Sequence, residues 1–334
     1  MKKQQTQPFV VVITGPTASG KSGLSELIAE KIPSEIINAD VGQFYTKLSV
    51  GTAKPDLKNY RYGHHLFDIV DSPEDISSAD YRKLVINRAT EIISRNKLPI
   101  IVGGSLFYIK SLFFPPHEIA ISENSVLKKF SHDQTDTQEN NNTLWEVLNS
   151  IDPERAKSIH HHDIYRIKRA LSIWEKTGIK PSSLQPIFEP PFNVLFIFVC
   201  PLQDVLHERI KKRTELMIKD KSWIDESRQL IGTSWEEFVK TKGLIGYSDI
   251  IEWIKYGQKQ ESIDKLIDII YIKTRQYAKR QITFWRGFEK LLKIESEKDS
   301  NFSSSVATLE SIDTQSINKL VDDISKYMNS CSNK

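Results

Sequence analysis

Phe9-Val10-Val11-Val12-Ile13-Thr14-Gly15-Pro16-Thr17-Ala18-Ser19-Gly20-Lys21-Ser22 is the stretch whose reading decides the fold. Five apolar residues in a row, four of them β-branched, predict a strand buried on both faces. G-x-x-x-x-G-K-S follows at once, the spacing of a phosphate-cradling loop. Leu24, Leu27, Ile28 and Ile32 then recur at helical spacing. Gly15 and Gly20 let the backbone turn its N–H groups inward, and the helix start adds its positive end. Pro16, Thr17, Ala18 and Ser19 fill the loop between them. Lys21 supplies a full charge to phosphate oxygens, and the Ser22 hydroxyl suits Mg²⁺. The motif leaves open whether the phosphate belongs to a nucleotide or to another diphosphate.

Outward from this loop, strand and helix patterns alternate. Glu35-Ile36-Ile37-Asn38-Ala39-Asp40 reads as a second strand ending in an acid. Ligands in open α/β sheets sit at carboxyl ends of strands, so Asp40 is expected beside the phosphate loop, a cap or loop carboxylate being its other reading. Residues 64–71 read as a third strand, 78–96 as a helix, and Leu98 to Val102 as a strand running into Gly103-Gly104-Ser105. Repeated strand–helix–strand units predict a parallel sheet with covering helices. Residues 131–143 are nearly free of apolar side chains and read as a loop. Residues 145–174 are helical in pattern, with Asp152-Pro153-Glu154 as a helix start.

Asn193 to Cys200 is again strongly apolar and returns the chain to the sheet. The expected organisation is a P-loop core over 1–116 and 192–290, a helical insertion over 117–191, and a polar linker and tail over 291–334. Residues 295–315, rich in Ser, Glu and Asp, read as a solvated linker ahead of a short helix at 317–328. After the Asn193 strand, Leu206 to Lys219 forms a helix with Arg209 and Arg213 on one face, placed to approach a diphosphate. Two basic stretches stand out. In one, Arg166, Lys168 and Arg169 lie off the apolar stripe of Ile164, Ile167 and Leu171. In the other, Lys273, Arg275, Lys279, Arg280 and Arg286 interleave with Tyr277, Phe284 and Trp285. Both patterns suit RNA backbone and base contacts, and both equally suit solvated basic helix faces. His160-His161-His162 lacks the acid-and-Cys setting of a metal site, so a surface run is the favoured reading.

The totals set limits. The 334 residues carry 46 basic and 43 acidic side chains, a net charge of +3, which points only weakly to a polyanionic partner. The two cysteines, Cys200 and Cys331, cannot build a zinc site or a disulfide framework, and a reduced cytoplasmic protein is expected. No apolar run approaches the roughly 20 residues of a membrane span.

Together GPTASGKS (15–22), INADVGQFY (37–45), VGTAKP (50–55), HHLFDIVD (64–71), IVGGSLFYIK (101–110), RIKRALSIWEKTG (166–178), GLIGYSDI (243–250) and TRQYAKRQITFWR (274–286) resemble the tRNA dimethylallyltransferase (IPP transferase) family. They stand in family order over roughly 8–290. Val41-Gly42 replace the family's usual Ser-Arg, Ser105-Leu106-Phe107 depart from its usual Gly-Gly-Thr-Gly-Leu-Tyr turn, and Tyr165 stands where Arg is common. The resemblance implies an α/β fold with a P-loop-like parallel sheet and an inserted helical tRNA-binding domain. It implies a monomer that moves a dimethylallyl group from dimethylallyl diphosphate to N6 of adenosine 37 in tRNAs reading codons that begin with U. Thr17, Lys21, Arg213 and a Mg²⁺ on Ser22 would stabilise the leaving diphosphate, and Asp40 would take the amine proton. Asp40, Val41, Gly42, Gln43 and Ser105 would meet the extruded nucleotide. Tyr165, Arg166, Ile167, Lys168, Arg169, Arg275, Gln276, Lys279 and Arg280 would grip the anticodon stem-loop. A prenyltransferase acting on free adenine nucleotides, a P-loop small-molecule kinase and a non-catalytic RNA-binding protein are the alternatives.

Overall fold

The computed structural model describes residues 7–57, 61–117, 138–257, 262–299 and 302–332. The described chain forms two compact units, one of residues up to 113 and from 189 onward, the other of 114–188.

In the larger unit the elements alternate as the apolar patterns dictate. β1 is Phe9–Thr14, α1 Lys21–Ala29, β2 Ser34–Asn38, β3 His64–His65, α2 Ser78–Ser94, β4 Leu98–Gly103 and α3 Leu106–Phe113. The second unit holds α4 Gln138–Ile151, α5 Pro153–Lys157 and α6 Ile164–Thr177. The larger unit resumes with β5 Asn193–Val199, α7 Gln203–Lys219, α8 Ser222–Leu230, α9 Ser234–Thr241, α10 Tyr247–Lys255, α11 Ile263–Ser296, β6 Ser304–Leu309 and α12 Thr314–Ser332. Among the described residues, six strands form one parallel sheet in the order β3-β2-β4-β1-β5-β6. This is the α/β parallel sheet that the sequence predicts. Every residue of β1, β2, β4 and β5 is buried, as expected of strands covered on both faces. On one face α1 and α12 pack Leu24, Ile28, Ile317, Leu320 and Ile324 against Val11, Ile13, Ile100 and Ile197. On the other, Trp285 and Phe288 of α11 meet Phe196, Phe198 and Phe113, with Trp285 stacked on Phe198 at 4.7 Å.

β1 lies between β4 and β5, so the chain leaves it in one direction for β2 and β4 and returns on its other side as β5. Crevices outside strand carboxyl ends open at such a reversal. The loops after β1, β2, β4 and β5 all emerge there, and they carry residues 15–20, 40–44, 104–105 and 200–202.

Four expectations are corrected. Residues 64–71 yield a strand of only two residues, because Leu66 and Asp68 take positive φ of 61° and 50° and turn the chain. Helix starts at Gln138, within the stretch read as a loop, whose residues 131–137 lie outside the described residues. Helix is also broken between 157 and 164, where the 145–174 pattern predicts continuity. The supposed linker contains β6, paired along its whole length with β5. Ser and Thr are tolerated there because this edge strand is only half-buried, while Ala307 and Leu309 still reach the core. The short helix expected at 317–328 is present as the longer α12, whose apolar stripe completes that core.

Ile324 is fully buried under the sheet. Ile324→Ala should cost about 2–5 kcal/mol, by lost transfer energy plus the cavity left behind, read as a lower urea midpoint with an unchanged slope.

Candidate active site

The phosphate loop is held by contacts from three distant segments. Gly15 has φ +150°, and a Cβ there would lie 2.1 Å from the Val199 carbonyl oxygen, so the turn out of β1 requires glycine. The Thr17 N–H donates to Gln281 Oε1 (2.8 Å), and the Gln281 amide donates to the Gly104 carbonyl (2.9 Å). Arg213 donates to Thr17 Oγ1 (2.7 Å) and Arg209 to the Ser19 carbonyl (3.2 Å). Lys21 Nζ folds back onto the Pro16 carbonyl (2.7 Å). Gly20 caps α1, so the free N–H groups of its first turn face the loop interior.

Asp40 is fixed just as closely. Its N–H donates to Asn38 Oδ1, and the Asn38 amide donates to the Asp40 and Leu66 carbonyls. One Asp40 oxygen accepts from the Gly42 N–H (3.1 Å). The Val41 N–H donates to the Ser105 hydroxyl (3.0 Å). A Cβ on Gly103 would meet the Ala39 backbone at 2.1 Å, so glycine there lets β4 run close against the acid's loop. Burial raises the Asp40 pKa, against the opposing pull of Lys21, the Gly42 N–H and Arg213. Burial also lowers Lys21 to about 8, with Asp40 pulling it up and Arg213 pushing it down.

Two cavities meet at this point. One, of about 330 Å³, is lined by the loop from Thr17 to Ser22 together with Asp40, Arg209, Arg213 and Gln281. The other, of about 410 Å³, is lined by Val41, Gly42, Ser105, Met217, Trp223, Leu244, Tyr277 and Arg280. Thr17, Asp40, Thr52 and Arg213 line both. A carboxylate and a guanidinium therefore stand where an anion-binding chamber opens into a chamber with aromatic and aliphatic walls.

The predicted residues divide by placement. Thr17, Lys21, Asp40 and Arg213 come together. Gln43 turns its amide onto the Thr52 and Ala53 carbonyls, and Ser105 spends its hydroxyl on Val41. Both therefore shape the chamber wall. On α11, Arg275 donates to His207 Nε2 and covers the Tyr271 ring, while Gln276, Lys279 and Arg280 are exposed. In the second unit, Tyr165, Arg166 and Lys168 are exposed on α6, and Arg169 donates to the His117 carbonyl. Ile167 is fully buried among Leu144, Leu148 and Leu171, so its expected RNA contact is corrected to a core role.

Sequence reasoning missed Gln281 and Glu226, and Tyr277, read among the aromatics of a basic helix, lines the second chamber. Gln281 lies in the distinctive TRQYAKRQ run, and its helical spacing from Thr274, Ala278, Trp285 and Phe288, which places it on the buried stripe, is the signal that could have flagged it. Glu226 gives no such signal. From α8 its carboxylate accepts the N–H groups of Ser49, Val50 and Gly51 at 2.8, 2.7 and 3.1 Å, and the Tyr247 hydroxyl at 2.6 Å. It thereby holds the VGT loop, and with it Thr52, against both chambers.

With this geometry in view, comparison with known proteins is direct. The sequence model of IPP transferase matches residues 43–288. This chain belongs to the IPP transferase family. Among its relatives, the tRNA dimethylallyltransferase of Thermoanaerobacter sp. strain X514 is 35% identical over 290 residues, 84% of this chain and 89% of that protein. That of Pelotomaculum thermopropionicum is 33% identical over 304 residues, covering 90% and 95%. Two solved structures share the fold of this chain. The full-length tRNA isopentenylpyrophosphate transferase of Bacillus halodurans is 27% identical, with 98% of each chain covered and a TM-score of 0.62. A eukaryotic dimethylallyltransferase acting on tRNA is 26% identical, with 97% of this chain and 80% of that one covered and a TM-score of 0.75.

Glu226→Ala leaves three loop N–H groups without their acceptor and should cost about 1–3 kcal/mol in urea unfolding. Glu226→Gln keeps an acceptor oxygen and should cost less. Equal loss in the two variants would show that the carboxylate bonds are not what holds the loop.

Proposed function

We propose that this chain is a tRNA dimethylallyltransferase that moves the five-carbon group of dimethylallyl diphosphate to N6 of adenosine 37 in tRNAs reading codons that begin with U. The observation that carries the reading is Asp40 at the junction of the two chambers, with a phosphate loop on one side and an aromatic wall on the other. Family membership supports the same chemistry.

In the proposed reaction the diphosphate rests on the loop N–H groups, Lys21, Thr17 and Arg213. The adenine leaves the anticodon stack to enter the second chamber, because chemistry on its exocyclic amine needs a base out of the stack. The N6 nitrogen attacks the allylic carbon, the carbon–oxygen bond to diphosphate breaks, and Asp40 takes the amine proton. Lys21 and Arg213 face the oxygens on which negative charge grows, in a space where burial strengthens their effect. Arg213, already fixed by Thr17, needs little reorganisation. Ser22 lines the same cavity as Lys21 and Asp40. The Ser22 hydroxyl is an oxygen donor of the kind a hard cation such as Mg²⁺ prefers; such an ion would be held by Ser22 and the diphosphate and would offset the diphosphate's charge. The exposed cations of α6 and α11 suit a phosphate backbone, and charge contacts of this kind weaken with salt. No helix among the described residues is long and apolar enough to cross a membrane, and we assign the chain to the cytoplasm as a monomer.

The deciding measurement is mass analysis of tRNA nucleosides after incubation with dimethylallyl diphosphate. A gain of one dimethylallyl group on adenosine supports the assignment. Prenylation confined to free adenine nucleotides, or ATP turnover with no prenyl donor present, would point to the alternatives. Asp40→Ala should lower turnover by about 10²–10⁴-fold, the usual worth of a positioned acid or base, and leave tRNA affinity within a few-fold in a filter-binding assay.

The pH profile of kcat/KM should be bell-shaped. Asp40 acts as a carboxylate, so activity rises as pH climbs through its elevated pKa. Lys21 binds phosphate as a cation, so activity falls as pH passes about 8. Lys21→Arg, charged throughout this range, should lose the alkaline limb at whatever activity it retains.

A further inference from the structure

Outside the active site, the described residues contain one tight group of metal-ligating side chains: His160, His161 and His162. They occupy the turn between α5 and α6 of the second unit. In an extended strand, neighbouring side chains point to opposite faces and could not share an ion. Here the Asp163 N–H donates to the His160 carbonyl at 2.8 Å, closing the chain into a tight turn. The rings converge as a result, with centroid separations of 4.3, 4.1 and 5.2 Å. One ring nitrogen from each lies within 4.8 Å of those of the other two.

We infer that His160, His161 and His162 form a binding site for one divalent transition-metal ion of the zinc or nickel class. Imidazole nitrogens favour these ions over Mg²⁺ and Ca²⁺, which prefer oxygen. Ligand bonds of about 2.0–2.1 Å need donor atoms somewhat closer than the present spacing. All three side chains are exposed, so small rotations bring them in without disturbing a core. The His160 Nδ1 accepts the His162 N–H at 3.3 Å, which leaves its Nε2 to bind. Asp163 is committed elsewhere: it caps α6 through the Arg166 N–H and pairs with the Arg166 guanidinium at 3.3 Å. Three neutral ligands leave the ion its full double charge and an open position for water or an anionic oxygen. A bound ion would also pin the turn that leads into α6, the helix presenting Arg166 and Lys168.

The test uses the full chain, freed of metal with a chelator and titrated with Zn²⁺ by calorimetry. Co²⁺ serves as the spectroscopic probe, through its visible absorption. One equivalent should bind with micromolar affinity. His161→Gln should weaken binding by about 10–100-fold, since removing even an outer partner of a metal ligand costs that much. The triple change to Gln at 160, 161 and 162 should abolish both the heat and the Co²⁺ bands. Circular dichroism of the triple variant should be unchanged, because the three side chains are exposed. Full binding by that variant, or none by the unaltered chain at millimolar metal, overturns the assignment. The outcome is independent of the prenyl-transfer reading, since the triplet lies in the second unit and takes no part in the proposed reaction.

Discussion

Three charged groups face one another across a single cavity in this molecule: Lys21, Asp40 and Arg213. Two are positive and one is negative, so these three half-buried groups together carry an unmet positive charge. Burial works against the charged form of each, and the opposite charge beside it works the other way. Such an arrangement is costly for a protein to keep. It becomes favourable when a diphosphate supplies the missing negative charge, and it then acts most strongly on whatever additional charge develops as a bond breaks.

Much of the fold serves to hold these groups together. They come from the ends of three different strands or from the helix that follows one: Lys21 after β1, Asp40 after β2, Arg213 on α7 after β5. Parallel pairing brings those ends to one edge of the sheet, and glycine at 15 and 103 lets neighbouring backbones approach closely enough to tie them. Gln281 then reaches in from a fourth segment to bond both the phosphate loop and the Gly104 carbonyl. A single buried amide thus couples the long helix α11 to the loop it covers. The same helix exposes Lys279 and, at the wall of the second chamber, Arg280, so one element both closes the site and offers charge to a polyanion.

The second chamber depends on a less obvious device. Glu226 offers no clue of importance in a run of ordinary helical residues, yet its two oxygens take four hydrogen bonds. Without such an acceptor the Ser49–Gly51 backbone would leave donors unpaired beside Trp223 and Tyr247. The VGT motif was legible as a motif, but its role as a chamber wall was visible only with α8 packed against it.

Local chemistry settled a good deal in advance. The buried strands, the phosphate loop, the helix carrying Arg209 and Arg213, and the approach of Asp40 to the loop follow from apolar runs, glycine spacing and the geometry of parallel sheets. These are short-range properties that a sequence displays directly. Tertiary packing decided the rest. It made a strand of Ser304–Leu309, because a half-buried edge tolerates the hydroxyl residues that otherwise mark a linker. It turned Gln43 and Ser105 toward backbone, and gathered three adjacent histidines in one turn. In each case the outcome rests on partners far away in the chain, or on a backbone bend that the residue type alone does not specify.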